Sequence, residues 1–276
     1  MKLPKITNKQ VEILELLYRY RFLNRIQIQT LLGHKDRKTI NLWLKDLREK
    51  QCVEWIYSDH FLEKTKPAIY YLGRNGIRYL KTLQWDDDSA VYQPEELHKR
   101  YKEGERSRTF IDRSILVAGC CVALEVQSGN SYTCITEADY LNADHDYHFL
   151  AEHEKLRPNL CIVKQKARTT TNYLLEIFDP NLPQYRVRSK VKNYVSYLTD
   201  HEWEGEDPEP IILLVLPSLY GLIYAKRKVR KLLLDEYYEA EDIPEDIHIR
   251  FTTTEQLQQH GITVQIWEEG RQHLGV

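Results

Sequence analysis

The chain has 276 residues, a formal net charge of −2, 42% hydrophobic residues and 29% charged residues. This composition supplies enough apolar side chains for a packed core in water and excludes a disordered chain. The apolar runs are far shorter than the roughly 18 residues of a membrane span, and the start, Met1–Lys5, has no apolar signal core. The five cysteines form no CxxC pair, which predicts buried free thiols in a reducing cytoplasm.

The near-zero net charge hides an uneven distribution along the chain. Residues 1–85 carry 17 Lys and Arg against 8 Asp and Glu, a charge of +9. Residues 86–276 carry 22 against 33, a charge of −11. A basic segment joined to an acidic remainder indicates an anion-binding module on a different scaffold.

Residues 1–84 are predicted to form a domain of helices and one β-hairpin. Thr7 and Gln10 have the spacing of a capping box, and Gly33 ends the second helix at a position that favours positive φ. The predicted elements are helices over Asn8–Tyr20, Arg25–Leu32 and Arg37–Lys50, strands over Cys52–Tyr57 and Ala68–Leu72, and a last helix over Ile77–Leu83. This order predicts a winged helix-turn-helix.

The third predicted helix has an apolar stripe on one side and a basic, polar face on the other. Basic and amide side chains on a helix of this kind can contact DNA bases in the major groove, and lysines of the wing can contact phosphate. The predicted DNA-binding residues are Arg37, Lys38, Asn41, Lys45 and Arg48 on the helix, and Lys64 and Lys66 in the wing. The alternative is a winged helix used for protein interaction or dimerisation, with its charges merely solvated.

The remainder is predicted to be a linker over residues 85–106 and a second domain over residues 107–276. The linker begins at Asp86-Asp87-Asp88-Ser89 and contains a short helix over Glu95–Lys102. The second domain is predicted to have helices over Thr109–Glu125, Gln184–Thr199, Ser218–Ala240 and Thr254–His260, and strands over Ser131–Glu137, Leu160–Val163, Asn172–Phe178, Ile211–Leu216, Ile247–Thr253 and Ile262–Trp267. This alternation predicts an α/β fold with a central mixed sheet.

The order of these elements resembles the restriction-endonuclease-like core. In that family a Pro-Asp turn and a Glu-x-Lys strand hold a divalent metal and support an attacking water. Here Asn159 stands at the aspartate position, Phe178 stands at the lysine position, and Glu176 alone matches. The favoured interpretation is that Glu176 begins a structural loop and that the metal site is lost. If the site were active, its residues would be Asn159, Glu176, Lys190 and Lys192, with Mg²⁺ on Glu176 and Asn159.

Both halves together resemble the replication-relaxation family of bacterial mobile elements. The stretches that carry the resemblance are Thr7–Leu14, Lys38–Lys50, Tyr70–Gly76, Arg157-Pro158-Asn159, Leu174–Asp179 and Lys190–Tyr194. The resemblance implies an N-terminal winged helix, a degenerate PD-(D/E)xK-like domain, and a DNA-binding role in replication, transfer or control of a mobile element.

The leading hypothesis is therefore a DNA-binding protein, either a replication or transfer factor or a transcriptional regulator. Its expected partners are double-stranded DNA, a second copy of the chain, and replication, transfer or transposition proteins, with no membrane and no cofactor. The expected location is the bacterial cytoplasm, at the nucleoid. The alternatives are an active Mg²⁺-dependent nuclease or nickase, and a protein-interaction adaptor with an acidic surface.

Overall fold

The chain folds into two compact units, Met1–Val122 and Ala123–Val276. The structure, a computed structural model, describes residues 3–57, 66–86, 92–127, 131–205, 208–237, 239, 243–245 and 247–270. Both units mix helices with a sheet, so the predicted mixture of α and β structure is confirmed.

The first unit combines helices with a small antiparallel sheet. Its helices are α1 Asn8–Tyr20, α2 Arg25–Leu31, α3 Arg37–Glu49, α4 Arg74–Asp86, α5 Pro94–Lys99 and α6 Arg108–Cys121, with a 3-10 turn over Arg100–Glu105. Its strands are β1 Leu23–Asn24, β2 Val53–Ile56 and β3 Ile69–Leu72, in the spatial order β1-β3-β2. The two-residue strand β1 was not predicted from the sequence, because a run that short has no periodicity.

Local signals explain where the first three helices begin. Thr7 and Gln10 form the predicted capping box at α1, and Asn24 and Gln27 form a second one at α2. The Asp36 carboxylate accepts hydrogen bonds from the first turn of α3. Gly33, between α2 and α3, has a φ of 61°, as the sequence predicts for a left-handed turn.

The described part of the predicted linker is packed structure. Glu103 is fully buried, and both its carboxylate oxygens accept hydrogen bonds from the Arg21 guanidinium, at 2.9 and 3.2 Å. Arg100, which is 3% exposed, lies 3.4 Å from the same carboxylate. The charges of Arg100 and Glu103 in this segment are therefore buried as a pair. Residues 87–91 of the predicted linker lie outside the described residues.

Helix α6 belongs to the first unit, although the sequence placed a domain boundary at residue 107. Its Ile111 packs with Phe22, Ile69 and Tyr71 on one face of the small sheet. The predicted helix over Thr109–Glu125 instead gives way after Cys121 to a π-helical turn, Val122–Gln127. The apolar face of α6 is buried against the small sheet, as is usual for an amphipathic helix.

The second unit is built on a six-stranded mixed sheet. Its strands are β4 Tyr132–Thr136, β5 Leu160–Lys166, β6 Thr169–Ile177, β7 Ile211–Leu216, β8 Ile249–Thr253 and β9 Glu268–Glu269, in that spatial order. Its helices are α7 Glu137–Tyr140, α8 Phe149–Glu152, α9 Gln184–Thr199, α10 Leu219–Tyr237 and α11 Thr254–His260. The pairs β6–β7 and β7–β8 are parallel and the other pairs are antiparallel.

The most buried strand of this sheet, β7, lies in its interior. β7 lies between two parallel neighbours, and five of its six residues are buried, which confirms the prediction from its continuous apolar run. Helices α9 and α10 cover one face, where Val191, Tyr194 and Leu222 join the core.

The predicted strand over Ile262–Trp267 is wrong. This segment forms turns, and pairing with β8 begins only at β9, where Glu268 lies opposite Phe251. Ile262 is 7% exposed and its carbonyl accepts a hydrogen bond from the Trp267 indole at 3.4 Å. Of the apolar residues that suggest a strand, Ile262 is buried and Val264 is 49% exposed, and none of these described residues pairs with β8.

Replacing Glu103 by Gln should lower the free energy of unfolding by about 3 kcal/mol, because the Arg21 guanidinium would lose its buried counter-charge and Arg100 would keep only that of Glu96. Chemical denaturation followed by circular dichroism measures this. The matched control is Glu105→Gln, at an exposed carboxylate in the same turn, which should change stability by less than about 0.5 kcal/mol. Equal effects of the two substitutions would contradict the buried pairing.

Candidate nucleic-acid interface and the Glu176 cluster

Helix α3 presents a polar stripe on the face opposite its core side. Ile40, Leu44 and Leu47 are buried, and the helical period places a second row of side chains on the other side. This α3 stripe consists of Arg37, Lys38, Asn41, Lys45 and Arg48, all exposed except for the half-buried Arg48. The structure thus brings together all five helix residues predicted to contact DNA.

The cations of the α3 stripe are little neutralised by the protein itself. Lys45 lies 3.8 Å from Glu49 in a pair whose two side chains are both more than half exposed, so this pair is weak. Within the part of the chain that the structure describes, no carboxylate lies within ion-pair distance of Arg37 or Lys38. The stripe therefore retains positive charge for a partner.

The amino end of α3 is closed by its own capping residue. The Asp36 carboxylate accepts hydrogen bonds from the hydroxyl of Thr39 at 2.6 Å and from the backbone N–H groups of Lys38 and Thr39 at 2.9 and 3.0 Å. The side-chain bond from Thr39, followed by the two backbone bonds, lowers the pKa of Asp36. The protein's own carboxylate therefore already caps this helix terminus, which is not open to an external anion.

An exposed aromatic pair lies at the carboxyl end of the α3 stripe. The guanidinium carbon of Arg48 is 3.3 Å from the ring centroid of Trp55 on β2. The Trp55 and Tyr57 rings stack with centroids 5.4 Å apart and planes at 14°. Sequence reasoning missed this pair because it assigned both residues to a strand. Trp55 lies on β2 and Tyr57 is the residue after its end, and their spacing of two residues after a basic helix is the signal that places them on one face.

Leu42 is a second feature that sequence reasoning missed. It lies on α3 and is 65% exposed, next to Asn41 of the α3 stripe. An apolar side chain exposed among polar ones on such a helix suits the methyl group of thymine.

The wing is described only in part. Lys66 is exposed, just before β3. Lys64 and the rest of the segment 58–65 lie outside the described residues.

Glu176 lies inside β6 and not at the start of a loop, so that expectation is wrong. It is 7% exposed and pairs in register with Leu214 of β7. Tyr194 on α9 donates its hydroxyl hydrogen bond to the Glu176 carboxylate at 2.9 Å. Burial, with the nearby charge of Glu176 as the next cause, raises the pKa of Tyr194 well above its usual range, which keeps the donor protonated.

Lys190 supplies a positive charge beside Glu176. Its ammonium nitrogen lies 3.4 Å from the same carboxylate oxygen, and it also donates hydrogen bonds to the carbonyls of Leu156 and Arg157. Lys190 therefore joins β6 to the turn before β5. Lys192, two residues along α9, is exposed.

Asn159 uses its side chain to hold the sheet together. Its side-chain amide oxygen accepts a hydrogen bond from the backbone N–H of Ile177 at 2.7 Å. Its backbone N–H donates to the backbone carbonyl of Leu175 at 2.9 Å. These two bonds flank Glu176 on the neighbouring strand. Phe178, at the position where the related pattern has lysine, is 2% exposed and belongs to the core.

The Glu176 cluster, comprising Asn159, Glu176, Lys190 and Tyr194, does not fit a divalent cation. The amide oxygen of Asn159 is committed to the backbone, and the single carboxylate already interacts with an ammonium and a hydroxyl group. Among the described residues, no group of three or more His, Cys, Asp or Glu side chains is arranged to hold a metal ion. Hard cations such as Mg²⁺ prefer charged oxygen ligands that are free to coordinate.

The model of the replication-relaxation family matches residues 14–208, and the chain belongs to this family. The match spans both compact units, which confirms the resemblance derived from short stretches in each half. No curated protein and no solved structure matches the chain significantly. No helix of the described residues is long and apolar enough to cross a membrane.

Replacing Tyr194 by Phe should lower the free energy of unfolding by about 1–3 kcal/mol, because the buried Glu176 carboxylate would lose a hydrogen-bond donor. Thermal or chemical unfolding of the purified variant measures this. Tyr185→Phe removes a hydroxyl from the same helix at a side chain that is 61% exposed, and it should leave stability unchanged. A Tyr194→Phe protein as stable as the wild type would argue against the assigned bond.

Proposed function

We propose that this protein is a DNA-binding factor of a bacterial mobile element that binds duplex DNA through α3. The single observation that carries the proposal is the exposed α3 stripe, whose five polar side chains share one helix face opposite a buried one. Arg and Asn side chains can pair with the edges of guanine and adenine, while Lys contacts the phosphates. The family's description as replication-relaxation supports a role in replication or transfer, and a transcriptional regulator is the related alternative.

The arrangement of the first unit supports a winged helix-turn-helix. Helices α2 and α3 are joined by a tight turn through Gly33, and the β2–β3 hairpin follows α3 directly. β1 pairs antiparallel with β3 and completes the three-stranded sheet. In proteins of this kind the second helix of the helix-turn-helix enters the major groove. Here that helix is α3, and its stripe would face the bases.

The distribution of charge supports the same orientation. The first unit carries 23 Lys and Arg against 16 Asp and Glu, a charge of +7 that adds to the attraction of α3 for phosphates. The second unit carries 16 against 25, a charge of −9 that repels DNA. We therefore assign DNA binding to the first unit alone.

For the second unit we propose a nuclease-like scaffold that serves dimerisation or partner binding. The Glu176 cluster supports this role, because its side chains stabilise the sheet and α9 rather than leaving an open ligand set. The partners we propose are a second copy of the chain and replication, transfer or transposition proteins, at the nucleoid in the cytoplasm. No metal or cofactor is part of the proposal.

Replacing both Lys38 and Lys45 by Glu should weaken binding to a pool of random-sequence duplexes by at least about tenfold at low salt. The reason is that each lysine contributes to the attraction for phosphate, and its replacement adds a repulsive charge. Fluorescence anisotropy over a salt series measures the affinity, and the salt dependence of the variant should become shallower by about two released ions.

The matched control replaces two exposed lysines of the second unit, Lys155 and Lys231, by Glu. It makes the same change in net charge away from α3, and it should retain most of the wild-type affinity. Equal losses in the two double variants would show that net charge and not the α3 stripe governs binding. Unchanged binding of Lys38→Glu/Lys45→Glu would refute the interface.

Incubation with Mg²⁺ or Mn²⁺ should leave supercoiled plasmid intact, because the Asn159 amide and the Glu176 carboxylate are engaged within the protein. Agarose gel electrophoresis of supercoiled, nicked and linear forms measures this. The Glu176→Gln variant is the control for contaminating nuclease. Metal-dependent cleavage by the wild type that disappears in this variant would establish the nuclease alternative instead.

A further inference from the structure

We propose that Trp55 and Tyr57 bind unpaired nucleobases, so that the DNA held by the first unit includes a single-stranded segment beside the duplex. This inference rests on the proposed duplex binding through α3, and it extends that function to the class of DNA recognised. A fork, a gap or a melted segment would present such a substrate, whereas a fully paired duplex would not.

The first observation is the exposure of two large rings at adjacent outward positions. Trp55 is 39% exposed and Tyr57 is 44% exposed, although rings of this size are usually buried. They are near-parallel, with planes at 14° and centroids 5.4 Å apart, so they form one stacked unit. A base can extend such a stack, and stacking tolerates any base because each has a planar π face.

The second observation is that Trp55 is held in place from within the unit. It lies opposite Tyr70 of β3 in the strand register, with ring centroids 6.2 Å apart, and Tyr70 is only 8% exposed. The Arg48 guanidinium lies on the Trp55 ring, at 3.3 Å from its centroid. A ring fixed in this way loses little conformational entropy when a base stacks on the pair.

The third observation is that the charge around the pair favours nucleic acid over a protein partner. Arg48 brings a guanidinium to the rings and continues the α3 stripe, one turn beyond Lys45. The acidic neighbour Glu54 lies on the other side of β2, where its carboxylate accepts a hydrogen bond from Tyr71 at 2.8 Å. A phosphodiester strand that passes from α3 to Trp55 therefore meets the cations of Lys45 and Arg48, of which Lys45 is weakly paired with the exposed Glu49.

These positions define how the substrate would lie. Duplex DNA occupies the α3 stripe, and one strand continues past Arg48 as an unpaired segment whose bases stack on the pair. The side chain of Trp55 points to the opposite face of β2 from that of Glu54, and the contact with Arg48 shows that this face adjoins α3. The helix and the rings thus lie on one continuous surface of the same unit.

The test compares a blunt random-sequence duplex with the same duplex carrying a 5′ or 3′ oligothymidine overhang. By fluorescence anisotropy the wild type should bind one of the overhang forms about tenfold more tightly than the blunt form. The variant Trp55→Ala/Tyr57→Ala should lose this preference and keep its affinity for the blunt duplex. Tyr220→Ala, at a tyrosine of α10 that is 69% exposed, is the matched control and should keep both affinities.

A second measurement does not depend on how the double variant folds. Oligothymidine should quench part of the tryptophan fluorescence of the wild type, and Trp55→Phe should remove most of that quenching while retaining an aromatic ring and most of the overhang preference. Quenching that is unchanged in Trp55→Phe would overturn the assignment to Trp55.

The outcomes separate this inference from the function on which it rests. Equal binding of blunt and overhang forms by the wild type overturns the inference alone, as does a double variant that keeps the preference. A folded double variant that loses blunt and overhang binding equally also overturns it, because the pair then contacts the duplex or a protein. Failure of the wild type to bind any DNA form overturns both proposals.

Discussion

A carboxylate that leaves water must meet a cation or several hydrogen-bond donors, and both units of this protein are organised around that requirement. In the first unit, Glu103 joins the 3-10 turn to Arg21 at the end of α1. In the second, Glu176 joins the central sheet to α9 through Tyr194 and Lys190. The first pairing packs a stretch that the sequence predicts to be a linker, and the second connects the sheet to α9.

Much of the fold follows from local signals in the sequence, because caps and helical periods act over a few residues. The bounds of α1, including its capping box at Thr7, and the buried strand β7 are of this kind. Two kinds of feature escape such reasoning. Burial of charged residues such as Glu103 depends on partners distant in the chain, and whether Ile262–Trp267 forms a strand depends on its pairing with the distant β8.

The candidate site likewise has one part that follows from local sequence signals and one part that depends on tertiary contacts. The α3 stripe is a property of one helix, so its five members could be read from their spacing alone. Trp55 and Tyr57 extend the stripe only because the hairpin folds back beside α3, and the spacing of residues within the helix does not predict that contact. The resulting surface combines cations, amides and planar rings. These are the groups that phosphates, base edges and base faces respectively need, and their co-location gives the first unit a consistent chemical character.

The two hydrogen bonds of Asn159 bear on how this domain can evolve. An aspartate at that position would still accept the Ile177 N–H, but it would add a negative charge beside Glu176, which is already matched to a single lysine. The Asn159→Asp substitution alone would therefore place two carboxylates near one ammonium, and Lys190 would still lie against Glu176 and the turn before β5. Asn159 and Lys190 are thus coupled through Glu176, so a substitution at one of these positions changes which residues the other position tolerates.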